Sequence, residues 1–239
     1  MSMYRTRTPA SAATTRAGGR RLLLGVALAI AVSPALAVKP FSADYQASYM
    51  GLKGAGTMTL VAQGGNRWKY TLDINSSVAQ LRQSTVFEER NGQWRPLSSS
   101  DASLLLIKKS TKDGTYDWGK REATWQGDVK AERAGPVKLQ EGDMDAMLIN
   151  LALVRDVAAG KPLSYRMVDD GRAKQLTYQV EGKETITVGG KPRQATRVVR
   201  NDGDKQTIAW VVEGLPVPAR ILQRKDGKDD IDLTFKSLD

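Results

Sequence analysis

Apolar and polar residues alternate along most of this chain, and that alternation constrains the fold more than any other feature. Phe41, Ala43 and Tyr45, for example, are interleaved with Ser42 and Asp44. Successive side chains of a β-strand point to opposite faces of the sheet, so a period of two predicts one dry face and one wet face. The pattern recurs at positions 68–74, 163–167, 176–180, 208–212 and 231–235. It is typical of antiparallel sheets, because strands buried on both faces read as unbroken apolar runs.

Turn-forming residues separate these alternating runs at short intervals. Asn91 and Gly92 predict a two-residue hairpin turn, because both accept the left-handed backbone that such turns require. Further turn signals are Gly64-Gly65, Gly189-Gly190 and Asp226-Gly227. The spacing predicts a mainly β fold of about a dozen strands, arranged as a curved antiparallel sheet that forms a half-barrel or an open barrel. A sandwich is the alternative.

One segment departs from the period of two and predicts a single covering helix near 143–158. Its apolar residues recur at helical spacing: Met144, Met147, Leu148, Leu151 and Val154. Asp143 is predicted to cap the start, and Gly160 and Pro162 to end the helix. Further apolar residues widen the apolar face almost all round, so we expect the helix to be covered on most sides. It either crosses the mouth of the curved sheet or packs as an ordinary core helix on its flat side.

The first 37 residues predict a cleaved secretory signal. Five arginines and no acidic residue precede an apolar run at 22–32, and Ala35-Leu36-Ala37 supplies the small residues of a cleavage site. The run is too short to span a bilayer, which takes about 20 apolar residues. We therefore expect cleavage after Ala37, a single β-rich domain over 38–239, a periplasmic location and no stable membrane span.

The formal net charge of +10 belongs in part to this leader. Without its five arginines, 31 basic and 26 acidic residues remain, and they are spread along the chain. Nucleic-acid binding needs a concentrated basic face, so we expect none. A weak attraction to anionic lipid headgroups stays open.

The absence of cysteine and histidine from the sequence excludes several classes of enzyme. A thiol nucleophile, a serine–histidine–aspartate triad and a histidine metal centre all require these residues. Carboxylates remain, and Asp143, Asp145, Asp169 and Asp170 are candidates for a carbohydrate-active site. Most acidic pairs lie beside Gly or Lys, as in solvated turns. The prediction is a non-enzymatic protein with no metal and no cofactor.

Aromatic residues in the strand-like segments predict the walls of an apolar cavity beneath the helix. Together with helix residues they form the predicted ligand-binding set: Met144, Met147, Leu148, Leu151, Trp68, Tyr70, Trp118 and Trp210. The alternative is a filled core, because a lined cavity and a packed interior select the same side chains.

An ordered set of short motifs covers nearly all of residues 41–237. The set comprises the helix start at Asp145, Val168-Asp169-Asp170-Gly171, Glu184-Thr185-Ile186-Thr187, and Trp210 followed by Leu215-Pro216-Val217-Pro218-Ala219-Arg220. In this order the motifs resemble an uncharacterised family of bacterial periplasmic proteins, the domain of unknown function 3108. The resemblance implies a secreted β-rich domain and supplies no reaction or catalytic residue. A curved sheet with one helix is also similar to lipoprotein carriers of the LolA/LolB kind, although fold does not determine function.

Three functions are compatible with these observations. The first is a periplasmic, non-enzymatic binding protein whose apolar groove holds a lipid, an acyl chain or a lipidated partner. The alternative is a cell-envelope interaction or assembly module with a solid core and no small ligand. The third is a carbohydrate-active enzyme that works with carboxylates alone. The sequence does not determine the ligand or the oligomeric state.

Overall fold

In the part of the chain that the structure describes, thirteen strands form one continuous antiparallel sheet, and two further strands form a separate hairpin. This computed structural model describes residues 39–49, 51–77 and 79–239, so the predicted signal segment 1–37 lies outside the described residues. The strands are β1 (Phe41–Tyr49), β2 (Leu52–Ala62), β3 (Arg67–Asn75), β4 (Ala79–Arg90), β5 (Gln93–Leu105), β6 (Lys108–Asp117), β7 (Glu122–Gly127), β8 (Val137–Lys138), β9 (Ser164–Asp169), β10 (Arg172–Thr177), β11 (Gln179–Val188), β12 (Lys191–Asp202), β13 (Lys205–Val212), β14 (Arg220–Lys225) and β15 (Lys228–Leu238).

The strand order places the first strand of the domain beside the last. In the large sheet the order is β11-β12-β13-β14-β15-β1-β2-β3-β4-β5-β6-β7-β8, and the hairpin pairs β9 with β10. The two halves of the domain therefore extend in opposite directions from the central pair β15 and β1. The edge strands β8 and β11 do not pair with each other, so the curved sheet stays unclosed. The predicted mainly β fold, a curved antiparallel sheet of about a dozen strands, is confirmed.

The alternating runs and the turn-forming residues correspond to strands and turns, as the sequence predicts. Phe41, Ala43 and Tyr45 of β1 are all buried, and the polar residues between them are half-buried. The turn between β4 and β5 is formed by Asn91 and Gly92, whose φ angles are 53° and 72°. These positive angles are those that a two-residue hairpin turn needs, which explains the residue types found there.

Strand β13 departs from the predicted alternation, because every residue from Ile208 to Val212 is buried. Arg200 of β12 lies over the ring of Tyr178, which follows β10, at 5.8 Å from the guanidinium carbon to the ring centre. The β11–β12 turn also curls back toward β15, where a Cβ atom at Gly189 would lie 3.3 Å from the carbonyl oxygen of Lys236. The predicted alternation assumes that one face of each strand is in water. It fails at β13, where residues on both faces of the strand are buried.

The predicted helix is present as α1 (Ala146–Ala158). Asp145 caps its start, because Oδ1 of this residue accepts a hydrogen bond from the backbone N–H of Leu148 at 2.8 Å. The predicted cap at Asp143 is wrong. The carboxylate of Asp143 instead accepts from the backbone N–H of Gln140 at 2.8 Å, in the turn that precedes the helix.

Helix α1 packs against β4 and β9 and is covered on most sides, as its sequence predicts. Its buried residues are Met147, Leu148, Ile149, Leu151, Ala152, Leu153, Val154 and Asp156. Gly160, with φ of 62°, follows the helix and ends it, as predicted. Burial of each large apolar side chain contributes about 1.5–3 kcal/mol, so tertiary packing holds this helix in place. Within the described part of the chain, no helix has the length and hydropathy needed to cross a bilayer.

Candidate functional site

Most of the predicted ligand-binding residues belong to one extended cluster of buried hydrophobic residues. Six of them belong to it: Met144, Met147, Leu148, Leu151, Tyr70 and Trp210. Trp68 is partly buried and packs against the same core. Leu148 and Tyr70 are 0% exposed, so their surfaces are taken up entirely by contacts within the protein.

Strand register separates Trp210 from Tyr70. Residues directly opposite each other on paired strands share a face of the sheet. We follow directly opposite residues from one strand to the next until β1 is reached. From Tyr70 this row ends at Phe41, and from Trp210 it ends at Gln46. Phe41 and Gln46 are an odd number of residues apart, so Tyr70 and Trp210 lie on opposite faces. The predicted aromatic wall is thus divided between the two faces.

Trp210 is enclosed by charged side chains. Its indole N–H donates to the carboxylate of Glu184, and the guanidinium carbons of Arg197 and Arg220 lie 5.9 and 4.9 Å from the ring centre. Arg220 in turn donates two hydrogen bonds to Asp232, at 2.9 and 2.6 Å. Such a ring between two guanidinium groups is stabilised by cation–π attraction.

Trp118 lies apart from the main core. It packs against a second cluster that contains Tyr116 and Trp125. Its indole N–H donates to the carbonyl oxygen of Pro96 at 2.7 Å, and Arg95 lies over the ring at 5.0 Å. Trp118 therefore does not share the environment of the other predicted ligand-binding residues.

A group of acidic residues surrounds the start of α1. Burial, together with the negative charge of Asp169, raises the pKa of Asp145 to about 7. Burial and the charge of Asp101 raise the pKa of Asp169 as well. The ammonium group of Lys112 compensates in part, since Nζ lies 3.3 Å from Asp101 and 2.9 Å from Asp170. Perturbed pKa values of this kind often mark functional sites, and the partners of each carboxylate decide its role.

The four carboxylates that the sequence offered for catalysis are each held by groups of the protein. Asp143 accepts from Arg166 at 2.5 Å and is 1% exposed. Asp145 is 1% exposed and binds the N–H of Leu148, and the carboxylate of Asp169 accepts the next backbone N–H at 2.7 Å. The carboxylate of Asp170 binds Lys112, as described above. The four contacts are therefore a helix cap at Asp145, ion pairs at Asp143 and Asp170, and a backbone hydrogen bond at Asp169.

A basic groove of about 450 Å³ lies between the β9–β10 hairpin and the ends of β12, β13 and β14. Six cationic side chains line it: Arg172, Lys174, Arg200, Lys205, Arg224 and Lys225. The acidic side chains on its wall are Asp202 and Asp230, so cations outnumber acids there. None of the predicted ligand-binding residues lines this groove or the pocket of about 320 Å³ beside the β5–β6 turn. Sequence reasoning missed the groove because its residues come from separate segments with no shared motif.

The family model described as a protein of unknown function (DUF3108) matches residues 44–234. The chain belongs to the DUF3108 family. The resemblance inferred from the ordered motifs is therefore confirmed. The family description adds no reaction and no ligand, and no curated protein matches the chain.

Solved structures show what the DUF3108 fold is similar to. A β-barrel-like protein of domain of unknown function DUF1849 from Brucella abortus aligns with a TM-score of 0.52 and 9% identity, over 84% of this chain and 97% of that one. The MucA/MucB complex of Pseudomonas aeruginosa has a TM-score of 0.40 and 12% identity, over 84% of this chain and 51% of that one. A DUF1329 family protein from Desulfovibrio piger has a TM-score of 0.27 and 8% identity, over 85% and 86%. At these identities the DUF1849 likeness concerns the fold alone, and it agrees with the unclosed sheet.

Proposed function

We propose that this DUF3108 protein is a non-enzymatic interaction module of the cell envelope, with a solid core, that binds an extended segment of a partner protein. The observation that carries the proposal is the open edge of the large sheet. Strand β11 has ten residues, exposed from Gln179 to Thr185, and within the described residues it pairs only with β12. An exposed edge offers backbone N–H and C=O groups to which an extended peptide adds as a further strand.

Charges and a bulge make this edge selective. The register shifts between Val180 and Gly182, and Glu181 and Lys183 flank the glycine. Bulges and charged side chains discourage indiscriminate pairing between sheet edges. Glu181 forms an ion pair with Arg197, whereas Lys183 forms none within the described residues. An acidic residue on the partner strand would therefore complement Lys183, which gives specificity as well as affinity.

The packing of the predicted ligand-binding residues favours this proposal over a lipid carrier. Leu148, Leu151 and Tyr70 are at most 4% exposed, and all three belong to the same cluster of buried residues. A carrier needs such residues to line a space that a ligand enters. Lipid binding beneath the helix stays a prediction from the sequence.

Two further observations support the remaining parts of the proposal. Asp145 caps the helix and the carboxylate of Asp169 accepts a backbone N–H, so both carboxylates with raised pKa values have structural partners, which supports a non-enzymatic role. The predicted signal at 1–37 supports a periplasmic location, where an interaction module would meet other envelope proteins.

Cross-linking in living cells tests the partner. A photoreactive amino acid at Val180, which is 58% exposed on the edge strand, should trap one defined protein. The same amino acid at Val61 is the matched control, because Val61 is 51% exposed on β2, a strand paired on both sides. Equal adducts at both positions, or none at Val180, would count against the proposal. Native mass spectrometry of the gently purified protein should show no co-purifying fatty acid, because the solid core leaves no space for an acyl chain.

A further inference from the structure

We infer that the basic groove binds a phosphate-bearing ligand, with Arg200, Lys205 and Lys225 as its binding residues. This site is distinct from the open edge at β11, so it can be tested whether or not a protein partner is found. The groove lies between the β9–β10 hairpin and the ends of β12, β13 and β14.

The ion pairs in the groove leave two lysines uncompensated. Asp202 is engaged by Lys174 and by Arg200, the latter at 3.2 Å, and the hydrogen bond from Lys174 lowers the pKa of Asp202. Within the described residues, neither Lys205 nor Lys225 forms an ion pair, although both line the groove. Asp230 on the same wall also forms no ion pair within the described residues, and the six cations outnumber Asp202 and Asp230, so the groove keeps a net positive charge.

Strand register brings these two lysines together. Lys205 of β13 and Lys225 of β14 are directly opposite each other, so both side chains project from the same face. Lys225 is also directly opposite Lys228 of β15. Like charges directly opposite destabilise a sheet, and an anion bound between them removes that repulsion. Such an arrangement favours a ligand with concentrated negative charge.

Arg200 lines the same groove as the two lysines, and its guanidinium group is held in place by contacts within the protein. One of its terminal nitrogens donates to the hydroxyl of Thr207 at 3.2 Å, and the group lies over Tyr178. Its Nε is buried and has no hydrogen-bond partner within the described residues. A guanidinium fork matches the geometry of phosphate oxygens, and a group that is already held loses little freedom on binding.

The size and lining of the groove fit a phosphate joined to a small organic group. Its volume of about 450 Å³ lies within the usual range of small-ligand sites. Met167 and Leu176 add apolar surface to the cationic wall. Two sources offer this chemistry, namely the headgroup of an anionic phospholipid and a soluble phosphate monoester.

The experiment measures binding of two probes to the full chain. Glycerol 3-phosphate is titrated by calorimetry, and vesicles of phosphatidylglycerol in phosphatidylcholine are tested by co-sedimentation. The double variant Lys205→Gln, Lys225→Gln should bind the successful probe about ten-fold more weakly, because it removes two charge-assisted contacts. The matched control is Lys53→Gln, Lys191→Gln, which removes the same charge from exposed positions outside the groove and should bind like the wild type.

The outcomes are distinct. Binding of glycerol 3-phosphate supports a soluble ligand, and binding of the anionic vesicles alone supports a lipid headgroup. Equal losses in the two double variants, or binding of a glutamate-rich peptide in place of both phosphate probes, would overturn the inference. Amide chemical shifts of the wild-type protein give a second measurement that needs no variant: the probe should perturb Arg200, Lys205 and Lys225, and perturbation confined to other regions overturns the site.

Discussion

At the scale of single residues, Asp145 combines a structural role with a titration near neutral pH. It caps α1 through the N–H of Leu148, and the acidic groups that face it are Asp101, Asp169 and the hydroxyl of Tyr116. Burial raises its pKa from 3.8 to about 7, so the folded protein holds this proton more tightly than the unfolded chain does. The contribution to stability is complete below the unfolded value and is lost as the pH rises toward 7.

Replacing Asp145 with Asn should flatten the pH dependence of stability. The amide oxygen of Asn still accepts from the helix N–H, but the side chain no longer ionises. We expect the wild-type free energy of unfolding to fall by a few kcal/mol between pH 4 and 7, and the fall in Asp145→Asn to be smaller. Urea unfolding across this pH range measures the difference.

The variant Asp145→Ala provides the comparison for the cap. It also lacks the titrating group, but it cannot accept from the helix N–H and should be about 1 kcal/mol less stable than Asp145→Asn at every pH. A fall as steep as that of the wild type in both variants would show that other groups control the pH dependence.

At the scale of elements, the β9–β10 hairpin is anchored at its turn. Asp170 at the turn binds Lys112 at 2.9 Å and Arg133 at 2.5 Å, and Arg133 ends a short 3-10 helix (Ala131–Arg133). Gly171 follows with φ of 68°, and any Cβ atom there would overlap the carbonyl oxygen of Arg133. The hairpin can dock because a hydrogen atom occupies that position.

Replacing Gly171 with Ala should therefore destabilise the protein more than the same change at another hairpin turn. Gly203 is the matched control, because it has a similar φ of 63° and nothing within 4 Å of its Cβ position. We expect Gly203→Ala to cost about 1 kcal/mol through backbone strain alone, and Gly171→Ala to cost more because the docked backbone must move. Thermal unfolding of both variants measures this, and equal losses would contradict the docking described here.

At the scale of the whole molecule, α1 and the large sheet share one continuous hydrophobic core. Ala152 is 0% exposed in this core, and residues from β1, β13 and β15 belong to the same cluster. Protein interiors are packed as densely as organic crystals, so a solid core has no room for additional methyl groups. A hollow carrier, in contrast, would accept them.

Replacing Ala152 with Leu distinguishes these two interiors. In a solid core the larger side chain should reduce the free energy of unfolding by about 1–3 kcal/mol. Ala158→Leu is the control, because Ala158 is exposed at the end of the same helix and the change should have little effect. Unchanged stability in Ala152→Leu, with lipid bound to the wild type and lost from the variant, would favour a lipid carrier.

The candidate sites were less predictable from the sequence than the fold. The predicted helix residues do lie in the core, since helical spacing of apolar residues reports which side of a helix is buried. Sequence spacing placed the cap at Asp143 instead of Asp145, because both acids precede the helix and only the backbone geometry distinguishes them. The opposition of Lys205 and Lys225 involves residues on different strands, and no local pattern contains it.

The sequence by itself determined the strands, their turns and the one helix. These features depend on interactions between residues close in the chain, as with Asn91 and Gly92 in a tight turn. Tertiary structure alone decided that Tyr70 and Trp210 lie on opposite faces and that both sides of β13 are covered. It also decided that separate cationic segments surround one groove. Those outcomes depend on strand register and on contacts between distant segments, which the order of residues along one strand does not encode.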